Sequence, residues 1–559
     1  MLVDRPQAVQ QQGQSSFLLG DLYARDTSQG ATVKCAPDRW TIDDLLRNGW
    51  GDYIFISTRD GDGILRIFRS PFCRLPCYYC VVDGIVALAS DVDFLIEIGL
   101  IDGALNWPAI ETLLFAPDFR SAQTCIANVY ELIGGCSLMV SDGASVIDAH
   151  WMPWQFGTNP SLLQDPQRAA AELEETVDHA VSSISAQYTH IMLGISGGLD
   201  SSIVASAAAR STAKLTTITI STDDRLGDER PAARAIASHL NLPLIEESEH
   251  LPTVNLRCSF SAHLPRPVAR SFAQSSDEIL SAKAASLDVD AFMSGAGGDN
   301  VFWNLRSPSA VADRILVEGP SLGALSTVKD LSVLAKSNLW TALNRGIRLA
   351  LRRNLPYKWP IDATFLSRER TSPSSAEFHH PWLAMPNHVL PGKKQHIGCI
   401  MAIENHLEGY RRELARPMLT PLLTQPVVEK CLEIPSWFWC LGGENRALAR
   451  VAFEHRLPSE VLRRRIKGSP FGFALQVYEA NRIFLIEWLC HGLLARQGML
   501  DVPSIERFLK DPSPRYALKM LRILTIADIE TWIRARTKKI TSAPSIYWRH
   551  TTDAVSGAK

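Results

Sequence analysis

The chemistry of this chain is concentrated in two glycine- and serine-rich stretches, each with one acidic residue. The first is Ser196-Gly197-Gly198-Leu199-Asp200-Ser201-Ser202. Gly197 and Gly198 let the backbone approach a ligand without a Cβ in the way. Loop amides and the Ser196, Ser201 and Ser202 hydroxyls supply donors for phosphate oxygens. Asp200 is the odd member, because a carboxylate repels phosphate unless it holds a Mg²⁺ that bridges to it. The second stretch, Ser294–Phe302, reads SGAGGDNVF and repeats the theme with Ser294, Gly295, Gly297 and Gly298 ahead of Asp299. One such turn is common between a strand and a helix. Two of them, each offering an aspartate, can share one Mg²⁺ on one triphosphate.

The surrounding sequence reads as the elements that would aim these loops. Ile191, Met192, Leu193 and Ile195 form an apolar strand before the first loop, and the Ala-rich run from Ile203 reads as a helix after it. The helix N-terminus adds its positive dipole end to the loop amides. Leu215–Ser221, Leu242–Ile245 and Asp290–Met293 are further strand candidates, with helices expected over Pro160–Ile184 and Pro231–His239. Strands alternating with helices imply a parallel α/β sheet that binds its ligand at the C-terminal strand ends. Ile220 falls near the end of the second strand, where adenine would lie; core packing is the competing reading. The GxxxxGK[ST] pattern of γ-phosphate transfer is absent. SGGxDS instead resembles the pyrophosphate loop of adenylating enzymes, which cleave ATP and release pyrophosphate.

Bulk properties narrow the class. The 559 residues allow several domains, and 46% hydrophobic with 21% charged residues is ordinary for a globular protein. A net charge of −2 argues against nucleic acid as a partner. No run of about eighteen apolar residues predicts a membrane span. The polar start, residues 1–16, reads as a disordered extension without a signal core. Eleven scattered cysteines without a secretion signal suit reduced thiols and a cytoplasmic location. Cys73, Cys77 and Cys80 have no second CxxC or His pair and read as buried thiols rather than zinc ligands.

Residues 17–156 read as β-rich, with short strands at Tyr53–Ser57, Ile64–Arg69, Tyr78–Val82 and Ile85–Ala89 and a short helix at Phe94–Ile98. RSPFCRLPCYY (Arg69–Tyr79), LASDVDFLIEIG (Leu88–Gly99), ELIGGCSL (Glu131–Leu138) and HWMPW (His150–Trp154) resemble the N-terminal glutaminase domain of class B asparagine synthetases. That family uses a cysteine as its first mature residue. Here Leu2 follows Met1 and the first cysteine is Cys35, so the expectation is a degenerate domain, dead for glutamine hydrolysis, that packs on the synthetase half or docks a partner.

The rest of the chain, 157–559, resembles the synthetase domain of the same superfamily, with a helical insertion over about 303–395. Within it Val328–Leu351 reads as one helix carrying Arg345, Arg348 and Arg352 on one face, either a solvated face or a holder of acidic groups. Glu413 and Arg416 precede PMLTPLLTQPVVE, at the place of the family's LExRxPFLD segment, and the match makes Glu413 a candidate base. GGENRALARVAFEHRLPSEVLRRRIKG (Gly442–Gly468) matches the family's C-terminal helix and Arg-x-Lys stretch. By that match Arg450 and Lys467 are its basic positions, and Lys467 would reach the phosphates and the developing charge at the acyl centre. The competing reading for Lys467 is a surface lysine in the run Arg463–Arg465. The family's acidic or phenolic residue inside SGxGxD is replaced by Ala296.

SGAGGDN, HPWL, PGKKQHI, LLTQPVVE, GGENRALAR and RRRIKG together are similar to the lasso peptide cyclases. The resemblance implies an α+β, Ntn-type glutaminase-like sandwich followed by an α/β synthetase domain with a pyrophosphate loop. It also implies ATP and Mg²⁺ as cofactors. The reaction would adenylate an Asp or Glu side chain of a precursor core peptide, whose own N-terminal amine then closes a macrolactam. A leader peptidase and a leader-recognition protein would be partners. Without a base at Ala296, proton removal falls to Glu413, His396 or water. The alternatives are an amidotransferase, asparagine synthetase or β-lactam-type synthetase acting on a small substrate, and a non-catalytic docking subunit.

Overall fold

A computed structural model of the chain describes residues 9–10, 16–25, 40–58, 64–141, 144–157, 165–222, 228–268, 270–304, 306–370, 378–464, 471–511 and 517–542. Leu2, Cys35, Arg465, Lys467 and Gly468 lie outside the described residues.

Alternating side chains build the N-terminal part from two antiparallel sheets. The first runs in the order β1 (Val9–Gln10), β2 (Ser16–Ala24), β3 (Gly49–Thr58), β4 (Leu65–Arg69), β8 (Cys136–Ser141), β9 (Ala144–Ala149). The second runs β6 (Ile85–Ala89), β5 (Tyr78–Val82), β7 (Tyr130–Glu131). Asp83 and Gly84, both at positive φ, make the two-residue turn between β5 and β6. Odd and even positions face opposite ways. Tyr53 and Phe55 pack under the helix Ile42–Asn48. Ile54, Ile67 and Leu138 share the core that holds Cys77, Tyr79 and Leu132. Tyr78 and Cys80 face the helices Val92–Glu97 and Trp107–Phe115. The layers are helix, sheet, sheet, helix.

The second part is a parallel sheet in the order β12 (Leu244–Ser248), β11 (Lys214–Ser221), β10 (His190–Gly194), β13 (Ala291–Ser294), β14 (Met418–Leu419). The chain builds outward from β10 in one direction and then returns to its other side with β13. The loops after β10 and β13 therefore diverge and leave a crevice between them, the usual ligand place of an open α/β sheet. These loops are the two glycine-rich stretches.

Two helix expectations are revised. The first long helix begins at Pro166, capped by Asp165, rather than at Pro160. The stretch Val328–Leu351 is two helices, Leu322–Ala335 and Leu339–Leu351, broken at Lys336 in the left-handed region (φ +49) and restarted by the Asn338 cap on Thr341 N. One apolar cluster draws on residues from both sides of position 156. Val92, Leu95, Ile110 and Leu114 share one apolar cluster with Ile523, Leu524, Trp532 and Ile533 of the helix Ala517–Ser542. Cys73, Cys77 and Cys80 are buried free thiols, and burial pushes Cys77 up to about 12. Among the described residues no helix is long and apolar enough to cross a membrane.

Candidate functional site

Both glycine loops open on one cavity of about 680 Å³. Ser196, Gly198, Leu199, Asp200 and Ser201 line it from the first loop, and Ser294, Gly295 and Ala296 from the second. Ile218, Thr219 and Ile220 from the end of β11, with Leu280 from the helix Gln274–Ser286, give it one apolar wall. Four chain segments remote in sequence meet here because each leaves a C-terminal strand end or abuts one.

The loops are held by close packing. Gly197 has φ +62, and a Cβ there would lie 2.3 Å from Ala232 Cβ. Gly298 passes so near the first loop that a Cβ would lie 2.5 Å from both Cβ and Cγ of Asp200. The second loop can therefore reach Asp200 only as glycine, and this approach puts Asp299 beside Asp200. Ser196 N donates to Ser201 Oγ at 3.2 Å, and Gly198 N donates to Ser196 Oγ at 3.3 Å. Ser202 is fully buried beneath the loop, its Oγ without a partner among the described residues. Gly197, Ser202, Gly297 and Gly298 shape the cavity from behind its lining.

Asp200 and Asp299 both contact Arg446. Its Nη1 lies 2.8 Å from each Asp200 oxygen and 2.6 Å from Asp299 Oδ1. Asn304 Nδ2 donates to Asp299 Oδ1 at 3.1 Å. Two converging carboxylates form a hard, oxygen-only donor set that suits Mg²⁺, whose remaining ligands are normally phosphate and water. Among the described residues no group of three or more His, Cys, Asp or Glu side chains forms a metal centre. A magnesium ion here would thus be held by Asp200 and Asp299 and completed by its ligand.

The remaining candidates separate into neighbours of the cavity and residues outside it. Arg450 does not enter the cavity. Its guanidinium donates to Asn445 O at 2.9 Å, Asn445 Oδ1 at 2.8 Å and Leu462 O, which fixes the segments that carry Asn445 and Arg464. Arg464 does line the cavity, donating to Ser196 O at 2.9 Å and pairing with Glu229 at 3.2 Å. The chain is thus led to the cavity rim three residues before Lys467, and Arg464 is no member of a solvated basic run. His396 is not a base at the site. It is buried in the core, bonded through Nε2 to Val301 O and stacked on Trp303, and burial lowers it to about 3. Its role is to support the helix behind Asp299.

Glu413 is also absent from the cavity lining. It precedes β14, and Arg416 just after it donates to Val289 O before β13 begins. The segment therefore enters at the N-terminal strand ends, away from the loops. Glu413 accepts from Gly409 N at 2.7 Å and faces His263 Nε2 at 3.4 Å, with burial raising its pKa. PGKKQHI proves to be a packing motif: Gly392 N donates to the buried Asp313, and a Cβ on Gly392 would lie 2.3 Å from Asp313 Oδ2.

Arg446, Glu229 and Asn304 are the residues that sequence reasoning passed over. Gly442 and Gly443 just upstream, both at positive φ, form the turn that precedes Arg446.

The fold and the cavity define an open α/β protein with a paired-carboxylate loop system at its C-terminal strand ends. The asparagine synthase family model matches residues 172–380 and 417–534, more than half of the chain, and the chain belongs to that family. This is a family of ATP-dependent carbon–nitrogen ligases, typically working with Mg²⁺. A search of curated proteins found no match.

Proposed function

We propose that this chain is an AMP-forming macrolactam synthetase of the lasso peptide cyclase type. The substrate is a precursor core peptide; an Asp or Glu side-chain carboxylate attacks the α-phosphorus of ATP, and pyrophosphate leaves. The peptide's N-terminal amine then attacks the acyl adenylate, forming the isopeptide bond and releasing AMP. A carboxylate is a poor electrophile at neutral pH, and activation by AMP supplies the leaving group. Bound Mg²⁺ would neutralise triphosphate charge from its seat on Asp200 and Asp299.

In this reading the loop amides and hydroxyls of Ser196–Ser201 hold the phosphates, and Ile218, Ile220 and Leu280 take the adenine. Lys467 supplies the charge that stabilises the acyl intermediate. The observation that carries the peptide reading is Ala296 on the cavity wall: the second loop offers neither acid nor phenol beside the reacting groups. Rate then depends on holding amine and acyl adenylate together, which a tethered nucleophile in one peptide achieves by proximity. The N-terminal sandwich is glutaminase-like in shape and braces the synthetase half. A leader peptidase and a leader-recognition protein prepare and deliver the peptide.

The test is mass spectrometry after incubation with Mg·ATP and two acceptor sets. One is aspartate with ammonia; the other is linear leaderless peptides with an N-terminal glycine and an acidic residue further along. AMP and a peptide lighter by one water, both lost in Lys467→Ala, are expected. AMP with asparagine and unchanged peptide overturns the peptide reading in favour of a small-substrate synthetase. Failure to bind Mg·ATP favours a docking subunit.

A further inference from the structure

The contact between Arg446 and the two aspartates is unusual for a salt bridge. A single nitrogen, Nη1, carries two hydrogens, yet it meets three carboxylate oxygens at 2.6–2.8 Å. At most two can receive a directed bond; the third is held by charge. Three oxygens around one point suit a small hard cation better than a guanidinium. The rest of the side chain is poorly provided for. Arg446 is buried at 7% exposure, and its Nε has no partner among the described residues. Its backbone sits at φ +51, a costly conformation for a non-glycine residue. The chain is bent to deliver one nitrogen into a nest made by two different loops.

The nest needs a cation, since two carboxylates brought this close repel. A magnesium ion held by Asp200 and Asp299 competes for the oxygens that Nη1 occupies. Arg446 also lines the cavity, so a guanidinium released from the carboxylates stays beside the place where phosphate oxygens would sit, and guanidinium matches phosphate geometry well.

We propose that Arg446 is an exchangeable resident cation. It holds the two glycine loops together in the nucleotide-free protein, yields the aspartates to Mg²⁺ on loading, and turns to the phosphates. The proposal rests on the ATP-ligase reading of the site and not on a peptide substrate. Linkage sets the sign: what the Arg446 contact contributes to the empty protein is subtracted from Mg²⁺ affinity.

The experiment is calorimetry and thermal melting of the full chain with MgCl₂ alone and with Mg·pyrophosphate, for wild type, Arg446→Met and Arg446→Lys. Arg446→Met is expected to melt below wild type in EDTA and to bind Mg²⁺ alone about tenfold more tightly. Its gain for Mg·pyrophosphate should be smaller, because a phosphate partner is gone. Arg446→Lys keeps a cation, with fewer donors, and should fall between. Mg²⁺ affinity in Arg446→Met equal to or below wild type overturns the exchange. If the methionine variant does not fold, the lysine variant decides by the same comparison. Because no arm contains peptide, failure of cyclisation leaves this result standing. Wild type that binds neither Mg²⁺ nor Mg·pyrophosphate overturns both this proposal and the ATP-ligase reading.

Discussion

Two buried charge nests in this molecule are near mirror images. At the cavity, Arg446 sits between two aspartates. At the junction of the N-terminal sheets with the synthetase half, one glutamate sits among three arginines: Glu131 pairs with Arg69 at 2.8 Å, Arg120 at 2.5 Å and Arg266. Glu408 pairs with Arg120 and Arg266 from the far side, each at 3.2 Å. The Glu131 nest is closed. Its carboxylate is fully buried, and its partners come from both halves of the chain, so it fixes their contact. Further ties run alongside, from Arg25 and Trp151 to Glu429 and from Arg74 to Met418 O. The Arg446 nest opens on a cavity. The comparison teaches that composition does not separate a brace from a site. What separates them is whether a ligand can reach the charges.

The largest effect should come from opening the closed nest. Glu131→Ala leaves three guanidiniums together, with Glu408 still beside two of them, and should cost about 3–5 kcal/mol in urea denaturation. An effect under about 1 kcal/mol would show that the junction does not depend on it. The pH dependence follows. Burial raises the Glu131 pKa, but the charges of Arg120, Arg266 and Arg69 overcome this and hold its carboxyl well below the ordinary range. Its contribution is therefore complete above the ordinary glutamate pKa of about 4.3 and is lost as pH falls below that value. Glu131→Gln should be less stable at neutral pH and should flatten this part of the acid-unfolding curve; an unchanged curve removes Glu131 as its source.

The next effect falls on the open nest. Gly298→Ala drives a methyl into Asp200 and should reduce Mg·ATP affinity by more than about tenfold, since it displaces a carboxylate that would hold Mg²⁺. Calorimetry reads this, and near wild-type affinity would mean the loops adapt. Arg464→Ala releases Ser196 O and Glu229. It should weaken Mg·ATP by about tenfold while shifting stability by no more than about 1 kcal/mol, as its ion pair is partly exposed. A large fall in melting temperature would make Arg464 a brace instead. Ile220→Ala should lower ATP affinity by several-fold and leave pyrophosphate affinity unchanged. Equal loss for both ligands would remove Ile220 from the adenine wall.

Much of the fold was legible in the sequence because it rests on local rules. Period-two alternation and the apolar run from Ile191 into a Gly/Ser loop placed β3 to β6, β10 to β13 and both glycine loops within a few residues, while β8, β9 and β14 were not read. What failed was local as well, and the reason can be named. The break at Lys336 is a single left-handed residue inside a helix-compatible pattern. The Asp165 cap sets the start of the helix Pro166–Ser185 at the proline after it.

The candidate site divides along the same line. Sequence alone determined which residues are candidates for phosphate-type chemistry, because glycine, serine and aspartate at close spacing need no distant partner to be recognised. The tertiary structure decided what those residues face. It brought Arg446 to Asp200 across 246 positions, added Glu229 and Arg464 to the rim, and turned Arg450 into a support. It buried His396 beneath Trp303 and sent Glu413 to the opposite strand ends. Spacing along a chain fixes local geometry, whereas distance between remote side chains depends on strand order, which no short motif encodes.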